Sequence, residues 1–133
     1  MGFGANETIQ SITLSEFRRM LSSNLIVPFA ILKASLEAFV EMGGGRIVMF
    51  CSIVAFREDE GLSGYTATKV GLRGLINTSR REVKERNNVS IHGVYNQSIQ
   101  YTGMKTILDS VLYLLSVPLG VDVDLVIDAY PPR

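Results

Sequence analysis

The sequence is short of several things, and each shortage excludes something. A single cysteine, Cys51, rules out an internal disulfide framework and makes a reducing compartment the expected setting. The 13 basic and 13 acidic residues cancel, so no net field draws the chain to nucleic acid or to an anionic membrane surface. Its most basic stretch, Arg80-Arg81-Glu82-Val83-Lys84-Glu85-Arg86, mixes both signs and is expected to be a solvated helix face. No basic segment followed by an apolar one opens the chain, which argues against a secretory leader. No uninterrupted apolar run approaches ~18 residues, which argues against a membrane span. The one histidine, His92, lies in an apolar strand-like run without a second ligand nearby, so it reads as a core or edge residue and no metal site is expected. Repeats and low-complexity linkers are missing too. These absences leave a cytoplasmic globular chain of one domain, 1–133, since 133 residues, 47% hydrophobic and 20% charged, suffice for one core.

What is present alternates between helix and strand signals. Thr13-Leu14-Ser15-Glu16 has the form of a capping box. Leu14, Phe17, Leu21, Leu25, Phe29, Leu32, Leu36 and Phe39 follow at spacings of three or four, which predicts a long amphipathic helix over 14–42, bent at Pro28. Gly43-Gly44-Gly45 ends it. The run Arg46-Ile47-Val48-Met49-Phe50-Cys51 suits a strand buried on both faces, as in a parallel sheet, and Cys51 within it reads as a small core residue. A charged loop follows, then a helix over 64–86 with Val70, Leu72, Leu75, Ile76 and Val83 as inward candidates. Strands near 89–95 and 123–129 flank a third helix near 105–116, whose apolar residues are Ile107, Leu108, Val111, Leu112 and Leu115. The order predicts an α/β fold with a short, mostly parallel sheet, each crossover right-handed.

One spacing carries chemistry. In Y-T-A-T-K, Tyr65 and Lys69 are four apart and share a helix face. An ammonium beside a phenol favours the phenolate, so Lys69 is expected to lower the pKa of Tyr65 and make it a proton donor or acceptor near neutral pH. Read structurally instead, Tyr65 packs its ring at a helix end, Ser52 terminates a strand by bonding nearby backbone, and Asn24 bonds a neighbouring carbonyl.

Taken together, the strand GRIVMFCS, Ser52 thirteen residues before Tyr65, the Tyr65–Lys69 pair, Asn24 with its following LIVPF, and GLRGLINTSRREVKE resemble the short-chain dehydrogenase/reductase family. The resemblance is close over about 13–95 and looser beyond. It implies a truncated Rossmann-like, doubly wound domain matching the family's C-terminal half, and NAD- or NADP-dependent hydride transfer between carbonyl and alcohol. Ser52 would then bond the substrate oxygen and Tyr65 pass the proton. Lys69 would tune Tyr65 and hold the nicotinamide ribose, Asn24 anchor a relay water, and Thr102 meet the nicotinamide amide.

Two departures temper the resemblance. The glycine-rich strand-turn-helix that seats a pyrophosphate has no counterpart, since Met1-Gly2-Phe3-Gly4 matches only the tail of a later motif. After Tyr95 the family's Pro-Gly is replaced by Asn96-Gln97, and Thr102 aligns only with a shift of one residue. The chain by itself is therefore expected to bind no dinucleotide in the usual way. Two functional readings stay open. One is the catalytic half of an oxidoreductase, completed by a nucleotide-binding chain. The other is a non-catalytic α/β oligomerisation or interaction protein. Under either reading the apolar excess of the helices at 14–42 and 64–86 leads to an expected homodimer or higher oligomer.

Overall fold

Thr13 opens the first helix in a computed structural model that describes residues 8–83, 88–97 and 103–127. Its hydroxyl accepts the Glu16 N–H at 3.2 Å, and the Glu16 carboxylate accepts the Thr13 N–H at 2.9 Å, completing the expected capping box. Helix α1, Leu14–Leu21, runs through a π turn, Ser22–Ile26, into α2, Val27–Glu41. Glycine ends the run as expected, with Gly43 at φ +80°, a conformation side chains resist. Charges interrupt the apolar residues of this helix, so a search for unbroken runs passes over it. Yet its 28 residues are long and apolar enough, by length and composition, to cross a membrane. Here Met20, Asn24 and Leu32 are buried, and the π turn packs against the next helix.

Three strands follow among the described residues: β1, Gly45–Ser52; β2, Val89–Asn96; and β3, Asp124–Ile127. They form one parallel sheet in the order β1-β2-β3. Gly45 lies opposite Val89 and Ser52 opposite Asn96, while Gly93 pairs with Asp124. Helix α3, Ser63–Val83, connects β1 to β2, and α4, Met104–Ser116, stands between β2 and β3. Each expected element is present; residues 84–87 and 128–133 lie outside the described residues.

Alternation along the strands divides the core. Ile47, Met49, Cys51, Ile91 and Tyr95 meet Leu32, Leu72, Ile76 and Val83 on one face. Arg46, Ser90 and His92 point to the other face, and all three grip the segment after α4. Arg46 donates to the Val117 carbonyl at 2.7 Å, Ser90 Oγ accepts from Gly120 N–H at 2.9 Å, and His92 Nδ1 accepts from Val123 N–H at 3.2 Å. So α2 and α3 cover one face and α4 the other. Both crossovers, β1-α3-β2 and β2-α4-β3, step the same way across the sheet, yet they pass over opposite faces. They have opposite hands, and the expectation that every crossover is right-handed fails for one of them.

Two burial expectations also change. Val70 on α3 is exposed; α4, for which no inward face was named, buries Ile107 and Leu114 and exposes Leu108, Leu112 and Leu115. Arg80 is not on a solvated face. Its guanidinium spans to β3, with Nη2 at 2.6 Å and Nη1 at 3.0 Å from the two Asp124 oxygens, while Nε donates to the Ile91 carbonyl at 2.8 Å. Asp122 secures the same junction by accepting the Ile91 N–H at 2.8 Å. Gly93 is required beside this clamp, because a Cβ there would lie 2.4 Å from Asp124 Oδ1 and 2.6 Å from the Tyr95 ring.

Candidate active site

The carboxyl end of β1 delivers Ser52 to the start of α3. Ser52 is 2% exposed, and its backbone is still extended (φ −147°) where the strand gives way to a single 3-10 turn. Its Oγ accepts the Val54 N–H at 3.4 Å, which is the strand-terminating bond that a purely structural reading expects. The same side chain faces the phenol of Tyr65, in the first turn of α3, and favours its ionised form.

One turn further along, Lys69 lies with its ammonium 5.5 Å from the centroid of the Tyr65 ring. The expected shared face is present, but the expected electrostatics are not. Burial holds the Tyr65 phenol above its ordinary pKa, the nearby Ser52 hydroxyl pulling it partly back. Lys69 does not lower it, for two physical reasons. Its charge sits over the ring rather than beside the oxygen, and burial of Lys69, 9% exposed, depresses its own pKa and disfavours the charge. In this arrangement Tyr65 is a neutral phenol at pH 7, equipped to give a proton rather than take one. Behind it Cys51, buried, donates to the Lys69 carbonyl at 3.4 Å, and burial pushes its thiol pKa up, which suits a core residue.

Asn24 enters through a residue that sequence reasoning passed over. It sits 4% exposed in the π turn, and its carboxamide donates to Thr68 Oγ1 at 3.4 Å. Thr68, fully buried, donates in turn to the Tyr65 carbonyl at 2.7 Å. The available signal was a hydroxyl three residues after Tyr65 on the same helix face. Asn24, Ser52, Tyr65 and Lys69 are thus joined by contacts or by one intervening residue, whereas Thr102 lies outside the described residues. His92, on the opposite face of the sheet, is fully buried with Nδ1 used as an acceptor, as expected of a core histidine. Among the described residues no His/Cys/Asp/Glu group is arranged to hold a metal.

A parallel sheet sandwiched by helices, with serine at a strand end facing Y-x-x-x-K on the following helix, defines a Rossmann-like α/β unit. The chain belongs to the short chain dehydrogenase family, whose model matches residues 1–110. It is 29% identical over 122 residues to a 3-oxoacyl-(acyl-carrier-protein) reductase of Aquifex aeolicus, covering 90% of this chain and 48% of that protein. To carbonyl reductase family member 4 of Xenopus tropicalis it is 33% identical over 105 residues, covering 79% and 44%. It therefore spans about half the length of these curated relatives. Among solved structures, serine dehydrogenase from Escherichia coli superposes with a TM-score of 0.85 at 18% identity, over 98% of this chain and 59% of that one. A metagenomic short-chain oxidoreductase in complex with NADP gives 0.82 at 20% identity, over 99% and 60%. At these identities the structures establish the Rossmann fold.

Proposed function

We propose that this chain is the catalytic half of an NAD- or NADP-dependent oxidoreductase that interconverts a carbonyl and an alcohol. The observation that carries the reading is the placement of buried Ser52 at the end of β1, facing Tyr65 across the β1–α3 junction, with the Lys69 ammonium 5.5 Å from the Tyr65 ring one turn behind. A nicotinamide, when bound, supplies or takes up the hydride. Ser52 orients the substrate oxygen. Tyr65 gives that oxygen its proton in the reducing direction, and its neutral state at pH 7 suits that step. Lys69 holds the ribose end and supports the proton's return, and Asn24 anchors a water in that route. Family membership supports the cofactor class, and the donor set fits a nicotinamide end. A pyrophosphate needs converging N–H groups from a glycine-rich turn, and no such turn occurs among the described residues, so that end requires a complementing nucleotide-binding half.

Two measurements test this. Calorimetric titration of the chain alone with NADH and NADPH is expected to give no micromolar binding. Once a complementing half restores turnover, Tyr65→Phe is expected to slow it on the order of 10²–10⁴-fold, because the ring is kept and only the proton donor is lost. Unchanged turnover would remove Tyr65 from the mechanism.

The same reading includes a homodimer or higher oligomer formed through α2 and α3. Ile26 at the end of the π turn and Val27, Phe29 and Ile31 on α2 are exposed, and a groove of about 340 Å³ between the helices is lined by Phe29, Leu32, Leu36 and Leu75 together with Lys33, Thr78, Ser79 and Glu82. A second copy presenting the same helices would cover both.

A further inference from the structure

Lys33 and Lys105 behave as surface lysines usually do. Both are exposed, and each pairs with a carboxylate four residues on, Glu37 at 3.5 Å and Asp109 at 2.5 Å. Lys69 differs on both counts. It is 9% exposed, and no ion pair among the described residues includes it. An ammonium taken out of water without a counter-charge loses its advantage over the free amine, and burial lowers the Lys69 pKa, with Cys51 opposing it. A lysine that only tethers a sugar hydroxyl is best served by a full charge, whereas an amine nucleophile needs that charge suppressed.

The groups around this amine are short of charge and well supplied with protons. Tyr65, one turn back on α3, is a neutral phenol with the Lys69 nitrogen 5.5 Å from its ring centre. From β1 come the Ser52 hydroxyl, which faces that phenol, and the Cys51 thiol, whose own pKa burial raises. From the π turn comes Asn24, its carboxamide held on Thr68. Arg73, the next charge along the same face of α3, is stacked over the Phe56 ring at 4.7 Å. Tyr65 is partly exposed, which opens the cluster to small molecules. An amine nucleophile, an acid and a hydrogen-bond donor for oxygen thus share one junction.

We propose that Lys69, when no nicotinamide occupies the site, forms a Schiff base with a small uncharged aldehyde or ketone, with Ser52 donating to the carbonyl oxygen and Tyr65 serving as the acid. The amine nitrogen bonds to the carbonyl carbon as the C–O π bond opens, and a proton passes from nitrogen to oxygen. The remaining C–O bond then breaks, the hydroxyl leaves as water with the phenol's proton, and the phenolate recovers one from nitrogen. One imine and one water result, and nothing is oxidised or reduced. This activity uses the same carbonyl site as the oxidoreductase reading but goes beyond it, since it needs neither hydride nor dinucleotide.

The test treats the full chain at pH 7 with propanal and sodium cyanoborohydride, which fixes each imine as a propyl amine that peptide mass spectrometry assigns to its lysine. An ordinary lysine at that pH has about one amine in 2,500 unprotonated. Accessibility alone ranks Lys69 last, because the side chains of Lys33 and Lys105 are 65% and 87% exposed. The proposal reverses that order, and Lys69 is expected to be labelled at least about tenfold faster than either. In the guanidinium-unfolded chain all three should react alike. Tyr65→Phe keeps the ring and removes the acid, and is expected to slow Lys69 at least about tenfold while Lys33 and Lys105 keep their rates. If Lys69 in the folded chain reacts no faster than Lys33 and Lys105, or keeps its lead after unfolding, the proposal is overturned. An unchanged rate in Tyr65→Phe would overturn the part given to the phenol. None of these results bears on hydride transfer, which is decided by turnover of Tyr65→Phe with a complementing half.

Discussion

Asp124→Asn isolates the clamp that joins α3 to the last strand. The substitution keeps the shape of the side chain and one acceptor oxygen, and it removes the charge. Two short bonds from Arg80, 2.6 and 3.0 Å, are affected. Bonds to charged partners are worth about 1.5–3 kcal/mol each. The Arg80 side chain is 13% and that of Asp124 34% exposed, so solvent screens part of this, and one neutral bond survives. A loss of about 2 kcal/mol is expected, which at this chain length lowers the melting temperature by about 6–8 °C. Arg80→Met should cost more, about 3 kcal/mol, because the bonds to the Ile91 and Val123 carbonyls at 2.8 and 3.3 Å go as well. Urea denaturation of both single variants and the double variant closes the cycle, with a coupling of about 1–2 kcal/mol expected between the two residues. If Asp124→Asn costs less than about 0.5 kcal/mol, the clamp is a screened surface pair and the reasoning fails.

The remaining predictions concern pH and assembly. Burial and the nearby Arg80 and Arg46 hold His92 below its usual pKa, against the opposing pull of Asp122 and Asp124, and its Nδ1 is occupied as an acceptor. The unfolded chain therefore takes up this proton first, so the stabilisation is complete above about pH 6.5 and is lost below it, at up to about 1.4 kcal/mol per pH unit. Urea midpoints should fall more steeply toward pH 5 in the wild type than in His92→Asn, whose Oδ1 takes the place of Nδ1 as acceptor of the Val123 N–H; equal slopes would contradict this. Phe29, half exposed on α2, should lie in the contact between copies. Phe29→Glu is expected to shift light-scattering mass toward monomer, and an unaltered distribution would exclude this face.

Periodicity made the order of elements legible because each helix and strand repeats its own spacing, and Thr13 and Gly43 mark their ends with chemistry that acts locally. The candidate site was legible for the same reason. Tyr65 and Lys69 need only a helix to meet, and Ser52 needs only the strand that ends before it. What stayed hidden depends on contacts far apart in sequence. Arg80 reads as one charge among several until β3 brings Asp124 beside it. Thr68 has no visible role until the π turn brings Asn24 near. The direction of the Tyr65 shift was missed because spacing shows that a lysine is close but not that both groups are buried. Which stripe of α4 faces the sheet stayed open, because apolar content alone does not separate Ile107 and Leu114 from Leu108, Leu112 and Leu115.

The opposite hands of the two crossovers decide how much of a layered unit the three described strands can make. With a single hand throughout, every helix would gather on one side and the sheet would remain a two-layer slab with a wet back. Reversing one crossover turns the same strands into the filling of a sandwich, closed over Ser90, His92 and Val94 by the last helix. The cost falls on the order of assembly. Until α4 has been laid down, the back of β2 has no cover, so a nascent chain halted before Met104 would carry a finished front and an unfinished rear.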